Sequence, residues 1–464
     1  FDMVRDLKEG GTFLLNTTIP AEEIADRLPN RILARLARRH AKFYIINATK
    51  IAQDTGMGRF TNTILQAAFF RLNEQIMPYS TSLELMKDSA RHTYARKGQD
   101  VVDKNIKAIE TGASGIVEVT VDPAWADLQF DKSVKGTTGD AFYDEYVTPI
   151  NHLQGQDMPV SSFLNFGVTD GTLNPNVAFK EKRTIATLVP EWEADKCIQC
   201  GKCGFACPHA TIRSFLMDEE EVATAQKIAA ENNVELTLKD PSPAYKGAKE
   251  ANLKFRIQVS TRNCVGCGVC ITVCPTKALS AADVKSQLGQ EPVAEYLYKH
   301  TTYKKEYGNN NTEGGVSLMM PYFEVSGCCP GCGEAPYYRL ASQLFGNDML
   351  IANATGCSMI YCSATPTNPF VQDENGEGVA WANSLFEDNA EYGYGMAIAQ
   401  SYKSARILKI MEENLDKVEA DLKASFEAYI AANDDRQVQR TIVNKLIEQV
   451  KASSNQEVKE LLKL

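Results

Sequence analysis

The first part of the chain alternates between short apolar runs and amphipathic stretches. Thr12–Leu15 and Lys42–Ile46 are apolar and rich in aromatic or β-branched side chains, as buried strands are. Helical spacing follows, with Ser82 as the expected N-cap of the second helix and Gly98 as a break. The predicted helices are Thr61–Leu72, Ser82–Ala95 and Gln99–Ile109. Residues 1–115 are therefore predicted to form an incomplete doubly wound α/β domain that lacks its first strand and crossover.

The pattern changes three times in the rest of the chain. Residues 116–190 are rich in turn-forming glycine and predict a small mixed connector domain. Residues 191–310 predict an α+β module that carries a charged insertion, Met217–Ala251, with an exposed helix over Asp218–Asn232. Residues 311–464 begin as a cysteine-rich α/β segment and end in helices whose apolar stripe should pack in a core. The stripe consists of Ile407, Ile410, Met411, Leu415, Val418, Leu422 and Phe426.

Composition excludes some classes of protein. The net charge of −10 argues against a nucleic-acid-binding protein, which needs a basic face. No apolar run approaches the roughly 18 residues of a membrane span, so we expect no membrane partner. The chain has thirteen cysteines and no secretory pattern, and their spacing suits metal binding better than disulfides. We therefore expect a reducing compartment, the cytoplasm or an anaerobic organelle.

Eight of the cysteines stand in a pattern that occurs twice, Cys-x2-Cys-x2-Cys-x3-Cys-Pro. The first run is Cys197, Cys200, Cys203 and Cys207, and the second run is Cys264, Cys267, Cys270 and Cys274. This is the ligand spacing of bacterial iron–sulfur sites, and two runs together are typical of two-cluster ferredoxins. Because the fourth cysteine of such a run ligates the other cluster, we expect Cys274 to complete the first [4Fe–4S] cluster and Cys207 the second. Zinc is the main alternative, although a zinc ribbon has no use for the third cysteine or for the Cys-Pro ending.

Five cysteines remain, and they suggest a third metal site. Spacing alone groups Cys329 and Cys332, in a Gly-Pro turn, with Cys357, which follows the apolar strand predicted over Met349–Ala352. The fourth ligand is ambiguous between Cys328 and Cys362 on this evidence. Buried free thiols are the alternative for some of these cysteines.

The order of these regions, with the strings Ser326–Glu334 and Ala354–Ser358, resembles the pyruvate:ferredoxin (flavodoxin) oxidoreductases along essentially the whole chain. The resemblance implies oxidative decarboxylation of pyruvate with coenzyme A to acetyl-CoA and CO2. It implies electron flow through three [4Fe–4S] clusters to ferredoxin or flavodoxin. Residues 311–464 would be the start of a thiamine diphosphate domain, and the complete enzyme would be a homodimer.

The resemblance also implies roles for individual residues. The proximal cluster, beside thiamine diphosphate, would have three ligands here and a fourth cysteine much later in the sequence; the three are Cys329, Cys332 and Cys357. By the same likeness Cys328 and Cys362 are not ligands, whereas Glu334 and Cys357 contact thiamine diphosphate. Gly56–Arg59 with Asn62, and Arg96–Gly98 with Asn105, resemble the family's coenzyme A-associated domain, so Asn62 and Asn105 are expected coenzyme A contacts.

Other family features are missing from the sequence. No Gly-Asp-Gly occurs, the motif with which the family holds the Mg2+ of thiamine diphosphate. We therefore expect an internal fragment of a longer enzyme that is inactive alone, and we assign no catalytic residue.

Three alternatives stay open: a non-catalytic electron carrier, a zinc-stabilised assembly module, and an oxidoreductase for another 2-oxoacid. For an acidic acceptor we expect a basic docking patch at Lys299, His300, Lys304 and Lys305.

Overall fold

The computed structural model describes residues 3–58, 60–130, 138–170, 172–363, 366–384, 388–433 and 435–464. The chain forms two compact units, Phe1–Thr169 and Asp170–Leu464. The expected division into four domains is finer than this and stays a prediction.

The first unit is built on a mixed sheet of three strands, β1 (Thr12–Asn16), β2 (Lys42–Ile46) and β3 (Ile116–Val119). β2 lies in the middle, parallel to β1 and antiparallel to β3. The two expected strands are confirmed. β3 continues the sheet past residue 115, a pairing that the sequence pattern did not indicate.

Eight helices accompany this sheet in the described part of the first unit. They are α1 (Ile24–Arg27), α2 (Asn30–Arg38), α3 (Ala48–Asp54), α4 (Asn62–Leu72), α5 (Tyr79–Tyr94), α6 (Gln99–Ser114), α7 (Thr148–Asn151) and α8 (Val160–Asn165). The three expected helices are present as α4, α5 and α6, and Gly98 separates the last two at φ +97°. The expected N-cap at Ser82 is wrong, because α5 begins directly after Pro78 and Ser82 is buried inside the helix. Proline before a helix fixes the entry of the chain and lacks the N–H that would go unpaired there.

The second unit begins with two antiparallel strand pairs. β4 (Leu188–Trp192) pairs with β7 (Leu279–Asp283), and β5 (Ile212–Met217) pairs with β6 (Lys254–Val259). The first cysteine run lies between β4 and β5, and the second lies between β6 and β7. In each pair, the strand that precedes one cysteine run is paired with the strand that follows the other run. This arrangement confirms the two-fold repeat of a ferredoxin-like module.

The remaining strands, β8 (Leu350–Asn353) and β9 (Ala380–Asn383), form a parallel pair. The helices of the second unit, within its described residues, are α9 (Lys202–Ala206), α10 (Glu219–Glu231), α11 (Val269–Thr272), α12 (Val284–Gln287), α13 (Glu291–His300), α14 (Glu313–Val316), α15 (Ala335–Phe345), α16 (Cys357–Cys362), α17 (Asn389–Asn414), α18 (Ala420–Ala431), α19 (Arg436–Ala452) and α20 (Gln456–Lys459). No described helix combines the length and apolarity needed to cross a membrane.

The insertion helix and the apolar stripe can be compared with their predictions. The helix expected over Asp218–Asn232 is present as α10, and Asp218 caps it through a capping box with Glu221. It is only partly exposed, because Ala225 and Ala229 are buried in a core that also contains residues of α13. The stripe packs in a core as expected, although it spans two helices, α17 and α18.

Candidate metal centres

Four cysteines line one cavity in the ferredoxin-like module. They come from the first run and from the end of the second, and they are Cys197, Cys200, Cys203 and Cys274. The pKa of the Cys203 thiol is raised to about 12, first by burial and then by repulsion from the other three cysteines. These four sulfurs therefore share one low-dielectric space, in which thiolates would be stable only with a positive partner such as a metal centre.

The second run gathers a matching group around Cys207. Burial raises the pKa of the Cys264 thiol to about 12, and Cys207 and Cys267 add to the increase. The pKa of the Cys270 thiol is also raised, first by burial and then by Cys207 and Cys264. Cys270 also interacts with Cys203 of the first group, so the two cysteine groups are neighbours.

Backbone N–H groups donate to the sulfurs at equivalent points of the two runs. The N–H of Gln199 lies 3.4 Å from Cys197 Sγ, and that of Gly266 lies 3.4 Å from Cys264 Sγ. Both donors have left-handed backbone, at φ +59° and +67°. Donors aimed at sulfur stabilise a thiolate-bound cluster and tune its potential.

The insertion holds the loop of the first run in place. Lys239 Nζ donates to the carbonyl oxygens of Ala194 and Cys197, at 2.8 Å each. The Gln199 side chain accepts from the N–H of Ser242 at 2.7 Å, and the Tyr245 hydroxyl donates to the Gln199 carbonyl at 2.8 Å. We call Lys239–Tyr245 the clamp. It gives the insertion a structural role that the sequence did not indicate.

A buried arginine holds the loop that ends the first run. Arg339, on α15, is 2% exposed and donates Nε to the carbonyl of Cys207 at 3.2 Å. Its other donors reach the carbonyl of Phe205 and the amide oxygen of Gln343. No carboxylate pairs with it among the residues that the structure describes. Burial lowers the pKa of the Arg339 guanidinium to about 10, and the nearby Cys207 opposes that shift.

The third cysteine loop packs against the second run. A methyl group on Gly331 would lie 3.7 Å from Cys267 Cβ, so the two loops are in close contact. His209 is 1% exposed, and its Nε2 lies 3.1 Å from the Cys328 carbonyl oxygen.

The three cysteines expected at the third site differ in exposure. Cys329 and Cys357 are exposed and Cys332 is half-buried, with the N–H of Ala335 at 3.4 Å from its sulfur. Within the described chain, no hydrogen bond joins Cys357 to the other two. Cys328 and Cys362 are buried, and burial raises the pKa of the Cys328 thiol to about 12.

The carboxyl ends of β8 and β9 carry a polar network. Asn353 Nδ2 donates to Asn383 Oδ1 at 2.8 Å, and Asn353 Oδ1 accepts from Tyr338 and Ser358, also at 2.8 Å each. Cys357 begins α16 four residues after β8 ends, at the strand end where the sequence placed it. The exposed Glu334 lies near Tyr361, which feels its charge. Asn353 and Asn383 were not foreseen, because the pairing of β8 with β9 is not visible in the pattern.

The two asparagines expected to contact coenzyme A lie in the first unit. Asn62 begins α4 and lines a cavity with residues of α5. Asn105 is 1% exposed on α6, and its Oδ1 is buried without a hydrogen-bond partner. Arg59 of the same motif lies outside the described residues.

The zinc alternative and the basic docking patch are the two remaining expectations about sites. No three His, Cys, Asp or Glu side chains there are close enough to hold a single metal ion. A single zinc ion needs ligands that converge on one point, whereas a cubane is a larger body held from all sides by its thiolates. In the expected basic docking patch, Lys304 is ion-paired with Glu221 at 2.5 Å and is therefore not a free cation. Lys299, His300 and Lys305 are exposed, and the patch stays a prediction.

Two regions of the chain match known protein families. Residues 1–115 match the family described as pyruvate ferredoxin/flavodoxin oxidoreductase, and residues 196–278 match the 4Fe-4S dicluster domain family. The pyruvate:ferredoxin oxidoreductase of Moorella thermoacetica is 37% identical over 438 residues, 94% of this chain and 36% of that protein. The chain is a relative of these oxidoreductases.

Other relatives of the same kind give similar values. The pyruvate-flavodoxin oxidoreductase of Enterobacter agglomerans is 38% identical over 445 residues, 94% of this chain and 36% of that protein. The mitochondrial NADP+-dependent pyruvate dehydrogenase of Euglena gracilis is 35% identical over 426 residues, 91% of this chain and 22% of that protein. The chain thus spans about a third of the length of the pyruvate:ferredoxin and pyruvate-flavodoxin oxidoreductases that it resembles.

Proposed function

We propose that this chain is the electron-conducting part of a pyruvate:ferredoxin or pyruvate:flavodoxin oxidoreductase. The complete enzyme would convert pyruvate and coenzyme A to acetyl-CoA and CO2. It would be a cytoplasmic homodimer that needs thiamine diphosphate and Mg2+. The observation that carries the proposal is the succession of three neighbouring cysteine groups.

The cysteine groups suit iron–sulfur clusters. Thiols gathered around a shared buried space, with N–H groups directed at their sulfurs, are the surroundings that a [4Fe–4S] cluster requires. Cys197, Cys200, Cys203 and Cys274 would hold one cluster. Cys264, Cys267, Cys270 and Cys207 would hold the second. Each cluster, when bound, accepts and releases one electron at a time.

The packing of these groups supports an order of the three sites. The loop with Cys329 and Cys332 contacts Cys267 through Gly331, and Cys203 is close enough to Cys270 to raise the pKa of its thiol. The second-run cluster would therefore stand between the third site and the first-run cluster. A simple carrier needs no third cysteine group at the end of a parallel strand pair, and this favours the enzyme over the carrier.

The roles proposed for the remaining site residues are supported by their positions in the fold. Cys329, Cys332 and Cys357 would hold the third cluster, with a fourth cysteine from elsewhere. Glu334 and Cys357 would face thiamine diphosphate, near the Asn353 network at the strand ends where ligands of α/β sheets bind. Asn62 and Asn105 would contact coenzyme A; the unpartnered Oδ1 of Asn105 is available as an acceptor only if the helix around it opens.

The ligand assignment can be tested by pairs of alanine variants in protein purified without oxygen. Wild type should bind about eight irons in the two complete sites. Cys197→Ala and Cys274→Ala should leave the same residual electron paramagnetic resonance spectrum, and Cys207→Ala should give the other. Cys362→Ala, which removes a buried thiol that is not a proposed ligand, should keep the wild-type spectrum.

The opposite pairing, Cys274→Ala with the spectrum of Cys207→Ala, would contradict the crossed wiring. Protein without iron or sulfide would contradict the whole proposal. For the activity, pyruvate- and coenzyme A-dependent dye reduction by the complete enzyme should exceed that with 2-oxobutyrate or oxaloacetate. Equal rates with the three substrates would contradict the preference for pyruvate but not the assignment as a 2-oxoacid oxidoreductase.

A further inference from the structure

A polar cavity opens beside β4 and β6, apart from the cysteine groups. It is lined by residues of those strands and of the segments 233–237 and 286–290, and its volume is about 330 Å³.

 The lining is mostly polar, and it includes Arg256, Trp192 and Gln290.

Arg256 carries a buried charge that no carboxylate balances. It is 5% exposed, and its guanidinium donates to Gln258 Oε1 at 2.8 Å, to the Thr237 carbonyl at 2.7 Å and to Gln290 Oε1 at 2.9 Å. All three acceptors are neutral, and no ion pair of Arg256 occurs in the described part of the chain. Burial alone lowers the pKa of this guanidinium to about 10, which leaves it charged at neutral pH. A buried cation without a counter-charge is costly, because it has lost its hydration.

Three other buried or half-buried cations of the same unit are paired with a carboxylate. Arg213 pairs with Glu324, Lys182 pairs with Glu291, and Lys304 pairs with Glu221. Arg339 lies against Cys207, whose proposed cluster is anionic. Arg256 differs from these three cations, because no carboxylate is paired with it in the described residues, and an anion that enters the cavity would balance its charge.

A second donor in the cavity wall also lacks a partner. The indole Nε1 of Trp192 is buried and makes no hydrogen bond. The Trp192 ring lies beside Arg256, whose guanidinium carbon is 5.9 Å from the ring centroid. Two exposed carboxylates, Glu191 and Glu235, also line the cavity, and they disfavour large or highly charged anions.

We propose that this cavity binds a small oxyanion, a carboxylate or a phosphate, between the Arg256 guanidinium and the Trp192 indole N–H. Oxygen anions match both donors, since a guanidinium can hold two oxygens side by side and the indole N–H can hold one more. Trp192 and Ile257 line the cavity of the first cysteine run as well. An anion bound here would therefore lower the midpoint potential of the first cluster, because negative charge disfavours the reduced form. This last consequence rests on the proposed clusters, whereas the binding itself does not.

The test is calorimetric titration of the iron-loaded protein with inorganic phosphate and, separately, with acetate. We expect saturable binding of at least one of the two by wild type. Trp192→Phe keeps an aromatic ring but removes the indole N–H, so the affinity for the anion should fall about fivefold. Arg256→Gln should lower it more than tenfold, because a charge-assisted bond is lost. Arg262→Gln, which removes an exposed cation of the same module, should bind as wild type does.

Binding of neither probe by wild type would overturn the proposal, as would unchanged affinity in Arg256→Gln. Should Arg256→Gln fail to fold, Trp192→Phe decides, and unchanged affinity there overturns the site. A potentiometric titration followed by electron paramagnetic resonance separates the two claims. Phosphate or acetate binding without any iron signal would contradict the clusters alone, and iron signals without anion binding would contradict the anion site alone.

Discussion

Single glycine residues set the backbone conformation of the two cysteine runs. Gly201 and Gly268 occupy equivalent places in the two cysteine runs, at φ +73° and +76°. Their surroundings differ, because a methyl group on Gly201 would lie 2.5 Å from the Glu313 carbonyl oxygen, whereas one on Gly268 would have nothing within 4 Å. The two glycines therefore share a backbone requirement, and only Gly201 has a spatial one.

This difference predicts unequal effects of alanine. Gly268→Ala should cost about 1–2 kcal/mol, the strain of a left-handed L-residue. Gly201→Ala should cost more, about 3–5 kcal/mol in total, because backbone atoms would also have to move apart. Thermal unfolding and iron content measured under anaerobic conditions would check this. Equal losses in the two variants would show that the contact with Glu313 is unimportant.

The charge of Arg339 predicts an effect on the cluster that Cys207 would complete. A buried cation near an iron–sulfur cluster favours its reduced form. Arg339→Met should therefore lower the midpoint potential of that cluster and reduce its reduced fraction about tenfold or more at a fixed potential. Potentiometric titration followed by electron paramagnetic resonance measures it. Arg339→Lys keeps the charge, so its midpoint potential should lie between those of wild type and Arg339→Met. An unchanged potential in Arg339→Met would contradict this role.

At the scale of elements, the clamp joins the insertion to the first cysteine run. Tyr245→Phe removes only the hydroxyl that donates to the Gln199 carbonyl. A lost hydrogen bond of this kind should speed iron loss from the first cluster about threefold to tenfold, because the loop opens more often. The rate of iron capture by a chelator, resolved by the spectra of the two clusters, measures it. Lys246→Met changes an exposed residue of the same segment and should have no effect; equal loss from both clusters would contradict a local clamp.

The elements also show what the sequence could and could not predict. Lys42–Ile46 was predicted at its observed bounds because its apolar pattern is local and strong. The position of the α5 cap was missed because the signal of Pro78 outweighs that of Ser82. The pairing of Lys304 with Glu221 joins residues far apart in the sequence, so no local pattern could show that this lysine is not a free cation. The clamp was missed for the same reason.

At the scale of the whole molecule, the two units have separate cores. The core of the ferredoxin-like module includes Cys207, Cys264 and Cys270 among its buried members, whereas the cores of the first unit contain no cysteine. Loss of the clusters should therefore weaken one unit and leave the other intact. Ligand binding of this kind contributes directly to folding.

Removal of iron should accordingly raise hydrogen exchange in a restricted part of the chain. We expect faster exchange, by about tenfold or more, in β4 to β7 and unchanged exchange in β1 to β3. Mass spectrometry of peptides from protein with and without iron measures this. The sheet of the first unit is the internal control, and a similar increase there would contradict the independence of the cores.

The crossed strand pairs and cysteine groups have a consequence for the covalent path of the chain. If Cys274 joins the first cluster and Cys207 joins the second, iron closes the segment between the two runs into a ring. Such a ring has little freedom to gain on unfolding, as in a chain cross-linked by a disulfide. A peptide-bond cut inside the ring would leave two pieces that remain tethered for as long as the inorganic core survives.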